Sequence, residues 1–331
     1  MLFEFDSDQR LWQETVRGVL AKECPLSLVR GVVDRDADPD PLWHTFSKLG
    51  WTELTGPEET VELAIVLEEL GRAADPTPFL ATMTQFAPFA PDLAVRPGAV
   101  VHDGVTARPG GGGWTLHGTG RHVLDGDRAE NLAVHTAEGV FLVPATAVTA
   151  RRVAVFDPVL HLADVSFDGV RVTADDRSAA DPALARHLAL TGLALTMVGA
   201  CRRVLELTLE HVSSRHQFGA PIGSFQAVKH KAADMHVAIE RAGALAYFAA
   251  LTIAAGDPRR REAASMAKAA AGECQAVVFR NGHQLTGAMG HTWENDIQFP
   301  LKRAKAGELL LGGAAEHRAL IAEEYQHAFD V

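Results

Sequence analysis

Arg215-His-Gln-Phe-Gly-Ala-Pro-Ile-Gly-Ser-Phe-Gln226 separates two long runs rich in alanine and leucine, and how it is read decides the fold. Gly219 and Pro221 turn the chain between two helices, which leaves backbone N–H groups free at the start of the second one. Arg215 offers a planar fork of donors matched to phosphate oxygens. Phe218 can pack on a flat ring, and the amide of Gln226 can read a polar edge. An arginine at a helix end commonly caps carbonyls, and a phenylalanine is commonly core. Taken together, these groups suit a phosphorylated ligand carrying a flat ring.

Outward from this stretch, everything after Asp181 reads as helix. Asp181-Pro182 makes an N-cap with proline at the first helical position. Segments at roughly 182–214, 224–255, 259–287 and 300–328 then predict a four-helix bundle. The most apolar run, Leu188 to Cys201, is broken by Thr191, Gly192, Thr196 and Gly199 and is shorter than the ~18 residues of a spanning helix. It reads as a buried core helix, so no membrane span is expected. The N-terminal side is also helical: Phe5, Trp12, Val16, Val19 and Leu20 recur at helical intervals, Pro41–Gly50 closes on glycine, and Thr60–Gly71 does the same.

Between these blocks the pattern changes. Val140–Val143 and the alternating Val165–Val172 favour strands, and Gly110–Gly113 reads as a hairpin turn, since no GxGxxG spacing leads from it into a helix. The expected architecture is α+β, with an N-terminal helical domain (1–85), a small β-domain (86–178) and a C-terminal bundle (179–331). The bundle, with small residues at Ala263, Ala264, Ala267, Ala269 and Ala270, is the expected oligomer interface.

With these elements in order, the chain resembles the acyl-CoA dehydrogenase family. The family signature has an arginine, two variable positions, Phe-Gly, and a glutamine seven residues after the glycine, as in Arg215 to Gln226. Gln284-Leu-Thr-Gly-Ala-Met-Gly-His-Thr-Trp-Glu294 is similar to a second family motif, with Ala288 in place of its second glycine. Ala264-Ser-Met-Ala-Lys268, Val66-Leu-Glu-Glu-Leu-Gly-Arg-Ala73 and Gly118 to Gly126 match weaker ones. The resemblance covers nearly the whole chain. It implies FAD as cofactor, contacted by Arg215, Gln217, Phe218, Gln226, Gln284 and Gly287, and it implies that these residues reach the FAD of a neighbouring subunit.

The same resemblance exposes losses. Family chemistry takes a proton from the carbon α to a thioester and passes hydride from the β carbon to the flavin, so a carboxylate must stand near the α carbon. The family position for that glutamate is Leu311, and the threonine after it is Gly313. A minority of members place the base about 26 residues before the motif arginine, where this chain has Ala189. His187 and Glu308 are the nearest titratable substitutes. No flavin-covering Thr-Glu-Pro-Gly loop occurs between Phe79 and Val101. The resemblance thus implies no catalytic residue of its own and a short subunit of the actinobacterial steroid or lipid type. Such a subunit acts on an acyl-CoA thioester within an α2β2 hetero-oligomer whose second family subunit supplies the base. The rival reading is a non-catalytic structural or regulatory paralogue.

Bulk properties fit either reading. The 331 residues suffice for two or three domains, and a net charge of −11 excludes nonspecific nucleic-acid binding by the whole surface. Cys24, Cys201 and Cys274 have neither metal nor disulfide spacing and read as reduced thiols. The start MLFEFDSDQR is too acidic for a secretory signal, so a cytoplasmic protein is expected.

Overall fold

Helix boundaries follow local chemistry in the computed structural model, which describes residues 5–329. Asp6 accepts the N–H groups of Asp8 and Gln9 at 2.9 and 2.8 Å while Gln9 returns to the Asp6 N–H, a capping box that starts α1 (Ser7–Glu23). Then come α2 (Leu26–Arg35), α3 (Asp40–Lys48), α4 (Thr60–Ala73) and a short α5 (Phe79–Ala81) that widens into a π-helical turn, Thr82–Phe86. Seven strands follow: β1 (Gly98–Val101), β2 (Val105–Gly110), β3 (Gly113–Leu124), β4 (Asn131–Thr136), β5 (Gly139–Pro144), β6 (Thr149–Val153) and β7 (Leu162–Val172). The remainder is α6 (Pro182–Ser214), a two-residue ribbon of β8 (His216–Gln217) and β9 (Ala220–Pro221), α7 (Gln226–Ala254), α8 (Arg260–Thr286), α9 (Gln298–Leu309) and α10 (Ala314–Phe329).

These elements gather into two compact units, neither continuous in sequence. One contains the chain up to Ala37, Pro57–Asp75 and everything from Leu190 on; the other contains Asp38–Gly56 and Pro76–Ala189. The N-terminal helical block is therefore shared out between them, with α1, α2 and α4 joining the bundle.

In the helical unit, α4 is drawn in by its charges as well as its apolar face. Glu68 and Glu69 are both buried. Glu69 takes a two-pronged contact from Arg17 of α1, at 3.0 and 2.6 Å, and Glu68 accepts from Arg202 of α6 at 2.6 Å. Arg72 returns the favour by gripping Glu206 of α6 at 2.9 and 2.6 Å. The Val66–Ala73 motif is thus a ladder of charge-assisted hydrogen bonds, the strong kind, and each buried carboxylate is paired. Beneath it Val198, Cys201 and Val204 of α6 pack with Met235 and Ile239 of α7, Cys274 and Val278 of α8, and Leu301 of α9.

Glycine does different work from the helix stop expected at Gly71. The helix runs through it to Ala73 and ends on Ala74 in the left-handed region, φ 56°. A Cβ on Gly71 would collide with the backbone of Thr196, and one on Gly199 with the backbone of Glu68. Two glycines facing each other's helix let α4 and α6 approach backbone to backbone. The five alanines assigned to an oligomer interface are likewise used inside the chain: Ala263, Ala264, Ala267, Ala269 and Ala270 are all buried in α8, which packs on α7, α9 and α10. Length and composition would let α6 and α7 cross a membrane, yet 78% of the most apolar window of α6 is buried by protein.

The last helix is split. α9 stops at Leu309, Leu311 and Gly312 take positive φ (56° and 95°), and α10 starts at Ala314. Helical periodicity continues across the break, which is why sequence alone joins the two.

In the other unit, β2, β3, β7 and β6 form an antiparallel sheet in the order β2-β3-β7-β6. A second sheet, β1-β4-β5, pairs β1 with β4 in parallel. The expected glycine hairpin is present: Gly110 pairs with Gly113 across Gly111 and Gly112, both at positive φ, the geometry of a primed turn. Alternating residues Leu116, Val165 and Phe167 fill the space between the sheets with Leu132, Val134 and Phe141.

The backbone contact at Gly199 gives a direct test. Gly199→Ala is expected to cost about 2–3 kcal/mol by forcing α4 off α6, read as a fall in the urea midpoint, whereas Gly18→Ala, where a Cβ meets nothing, leaves it unchanged or raised.

Candidate cofactor site

The signature segment folds as a tight hairpin at the end of α6. Arg215 N–H closes the helix on His211 O at 2.9 Å, and the Ile222 N–H bonds Arg215 O at 2.8 Å. Between them His216 pairs with Pro221 and Gln217 with Ala220. The two central residues, Phe218 and Gly219, have φ of 52° and 80°, again a primed turn. Glycine accepts that conformation freely; phenylalanine does so at a cost of roughly 1–2 kcal/mol. The ring gains little from burial in return, since Phe218 is 93% exposed, with Phe225 set edge-on 6.2 Å away between centroids. A strained, solvent-facing aromatic is displayed rather than packed.

Its neighbours are displayed too. Arg215, Gln217, Gln226, Gln284 and Gly287 are all exposed. The Arg215 guanidinium makes no hydrogen bond or ion pair with any described residue. Gln226 is the first residue of α7, and its N-cap Phe225 supplies no side-chain cap, so the first N–H groups of α7 are left for another partner. α7 and α8 run alongside each other, and Lys231 Nζ donates to Asn281 Oδ1 at 3.4 Å. That contact places Gln226 and the Gln284–Gly287 segment at the same end of the pair. Gly287 ends α8 with φ 59° and ψ −146°, a conformation that favours glycine and lets a ligand approach bare backbone.

Beyond Gly287 a short 3₁₀ turn (Gly287–His291) carries the exposed Ala288. It stacks the ring of His291 on His283, 4.4 Å apart and 8° from parallel. Burial, then the neighbouring His291, holds His283 below the usual histidine range. Arg30 of α2 anchors the segment by donating to Asp296 and to the backbone oxygen of Trp293 at 3.1 Å. The stacked histidines escaped sequence reading because one helical turn and a loop separate them.

Comparison with known proteins settles the family. Residues 187–326 match the model of the acyl-CoA dehydrogenase C-terminal domain. "Acyl-CoA dehydrogenase IpdE2" of Mycobacterium tuberculosis is 33% identical over 93% of this chain and 94% of its own length. The chain belongs to the acyl-CoA dehydrogenase family. Among solved structures, the ChsE4–ChsE5 complex from Mycobacterium tuberculosis superposes with a TM-score of 0.89 at 23% identity, covering 98% of this chain and 99% of that one. A steroid ACAD, Tcur3481–Tcur3483, does so with a TM-score of 0.87 at 24% identity, covering 98% and 99%. At those identities the superpositions speak for the fold, and they agree with the α+β architecture of helices, small β-domain and C-terminal bundle.

The other segment that the family resemblance singles out is the turn after α9. Leu311 sits in its middle, and the backbone around it is held from three sides. Lys268 Nζ donates to Gly312 O at 2.6 Å, His317 Nε2 meets Leu311 O at 3.0 Å, and the Glu308 carboxylate caps α10 by accepting the Ala314 N–H at 2.9 Å. Glu308 thus engages the helix start through Oε1, while its Oε2 is buried with no hydrogen-bond partner. A Cβ on Gly272 would collide with that carboxylate, which fixes glycine in the facing helix. In the strand-bearing unit, Ala189 is fully buried in α6 and His187 is half-buried two residues before it.

Lys268 is the residue whose role sequence reading missed, although it closes a quoted motif and is the only charge in Ala263–Gly272. Burial lowers its pKa to about 8, with Glu308 and Glu316 opposing. A lysine whose pKa is depressed in the folded chain releases its proton on folding. Stability contributed this way rises with pH between about 8 and the unfolded value near 10.4. Lys268→Met should flatten that rise when urea midpoints of both proteins are compared across this window; parallel curves would contradict the assignment.

Proposed function

We propose that this chain is the base-lacking half of a heteromeric, FAD-dependent acyl-CoA dehydrogenase. One observation carries the reading: the strained Phe218 is displayed outward and the Arg215 side chain pairs with no described residue, while the two family positions for the carboxylate are Leu311 and Ala189. The displayed groups suit a dinucleotide of a neighbouring subunit. Arg215 would take phosphate oxygens, Phe218 a ring face, and Gln217, Gln226 and Gln284 polar edges, with Gly287 giving room for backbone approach. When bound, FAD supplies the hydride acceptor of the α,β-dehydrogenation.

The proton step needs a group this chain lacks. Leucine and alanine accept no proton, and Glu308 has one of its two oxygens on the start of α10. A second family subunit in an α2β2 assembly would supply that carboxylate, and general-base assistance is worth ~10²–10⁴-fold. The solved ChsE4–ChsE5 complex, a pairing of two named chains on this fold, supports a second subunit. The steroid ACAD among the structural neighbours supports an acyl-CoA thioester of lipid or steroid metabolism as substrate. Three free, buried cysteines support a reducing, cytoplasmic setting.

Mixing tests it. The chain alone should leave its flavin yellow when an acyl-CoA thioester is added, and co-purification with a full-length family member encoded beside it should turn on rapid bleaching. Rapid bleaching by the isolated chain would refute the half-site reading. Assembly with every such partner and no bleaching would instead make the chain a structural paralogue.

A further inference from the structure

The helical unit holds a cavity that the dehydrogenation chemistry above does not use, and none of the residues assigned to cofactor or base lines it. It measures about 290 Å³ and lies where the C-terminal half of α1, the start of α2, the end of α4 and the middle of α6 meet. Part of its lining is apolar, with Leu20 and Cys24 buried and Leu26 and Ala73 half-buried. The rest carries three guanidiniums from three helices: Arg17 of α1, Arg72 of α4 and Arg203 of α6. Among the described residues, Glu69 is the one carboxylate that lines it.

Each arginine keeps donors unused. Arg17 engages Glu69 through Nε and Nη2 at 3.0 and 2.6 Å, and Arg72 engages Glu206 through the same two atoms at 2.9 and 2.6 Å. Arg203 gives Nη1 to Glu206 at 3.2 Å. That leaves Nη1 of Arg17 and Arg72, and Nε and Nη2 of Arg203, bonded to no described residue. Two carboxylates, Glu69 and Glu206, face three guanidiniums, so a positive charge is left over. Glu210 reaches Arg203 only at 3.9 Å, with its side chain 68% exposed to water. Burial, then Asp75, pushes the Cys24 thiol up, so it stays neutral and offsets nothing. The start of α2 adds to the field. Its N-cap Pro25 makes no side-chain cap, its first turn holds no acidic residue, and Pro25 and Leu26 both line the cavity. The free N–H groups and positive dipole end of α2 therefore stand at the same place.

We propose that this cavity binds a small phosphate monoester, its phosphoryl oxygens on Arg17, Arg72 and Arg203 and its organic group against Leu20, Leu26 and Ala73. Guanidinium forks match phosphate geometry, and a phosphoryl group offers three oxygens to three forks where a carboxylate offers two in one plane. The apolar part of the lining selects an ester with a hydrocarbon or aromatic body over inorganic phosphate. A cavity at the small end of the range for ligand sites calls for a compact body. This site stands independently of the Arg215 hairpin and of the half-site reading.

Calorimetric titration of the full chain with phenyl phosphate tests it, with inorganic phosphate and phenol as controls. Phenyl phosphate should bind on the order of tenfold more tightly than either control. A phosphate monoester gains its second negative charge above pH ~6 while the arginines stay charged throughout, so affinity should rise between pH ~5 and pH ~7.5. Arg203→Gln removes one fork while Arg72 still holds Glu206, and it should weaken binding roughly tenfold or more. Ala21→Glu, at an exposed position of the lining, should abolish binding by setting a carboxylate among the arginines. Both variants should melt at the temperature of the unaltered chain. Arg215→Ala should leave the affinity unchanged, which separates this cavity from the cofactor hairpin. Phenol or inorganic phosphate binding as tightly as phenyl phosphate, unaltered affinity in both lining variants, or loss of binding in Arg215→Ala would overturn the proposal.

Discussion

The close backbone approach of α4 to α6 is the constraint on which the helical unit depends. Gly71 faces Thr196 and Gly199 faces Glu68, so each helix presents a bare backbone where the other needs room. Once the helices meet, Glu68 and Glu69 are buried, and they are tolerated only because Arg202 and Arg17 reach them. The same crossing fixes α6, and the C-terminal end of α6 carries the hairpin on which Phe218 is displayed. A motif that reads in sequence as a run of leucines and glutamates is thus a positioning device for a site more than ten residues beyond its contact.

What the hairpin displays is chemically unfinished. A packed protein seldom leaves a phenylalanine in a left-handed conformation with its ring in water, and seldom leaves an arginine at a helix end with no carbonyl or carboxylate to hold. Both occur at Arg215 and Phe218, and the flanking amides Gln217, Gln226 and Gln284 are exposed as well. Around Leu311, Lys268, His317 and Glu308 each satisfy a backbone group, and the second Glu308 oxygen is buried with no hydrogen-bond partner.

Elements governed by local chemistry were legible in the sequence. Asp181-Pro182 starts α6, the paired glycines at Gly111 and Gly112 make the β2–β3 turn, and the three long bundle helices fall within two residues of their expected ends. Legibility ended where a distant contact decides. Gly71 looks like a helix stop because its reason, Thr196, is far away in sequence. The break between α9 and α10 is invisible because Leu311 has no propensity for the conformation it adopts; Lys268 holds it from another helix. Arg17, Arg72 and Arg203 come to one cavity only through the packing of three helices far apart in sequence. The Arg215 segment was read through spacing, which placed its residues on a turn, but the outward display of Phe218 required the backbone angles.

The central claim is that Arg215 holds a phosphorylated cofactor belonging to an assembled enzyme. Flavin retention by the complex, measured as the absorbance remaining after gel filtration for Arg215→Ala beside the unaltered chain, tests it most directly. A charge-assisted contact contributes about 1.5–3 kcal/mol, so retention should weaken by roughly tenfold or more, with Arg215→Lys falling between the two. Equal flavin occupancy in Arg215→Ala and the unaltered complex would contradict the account.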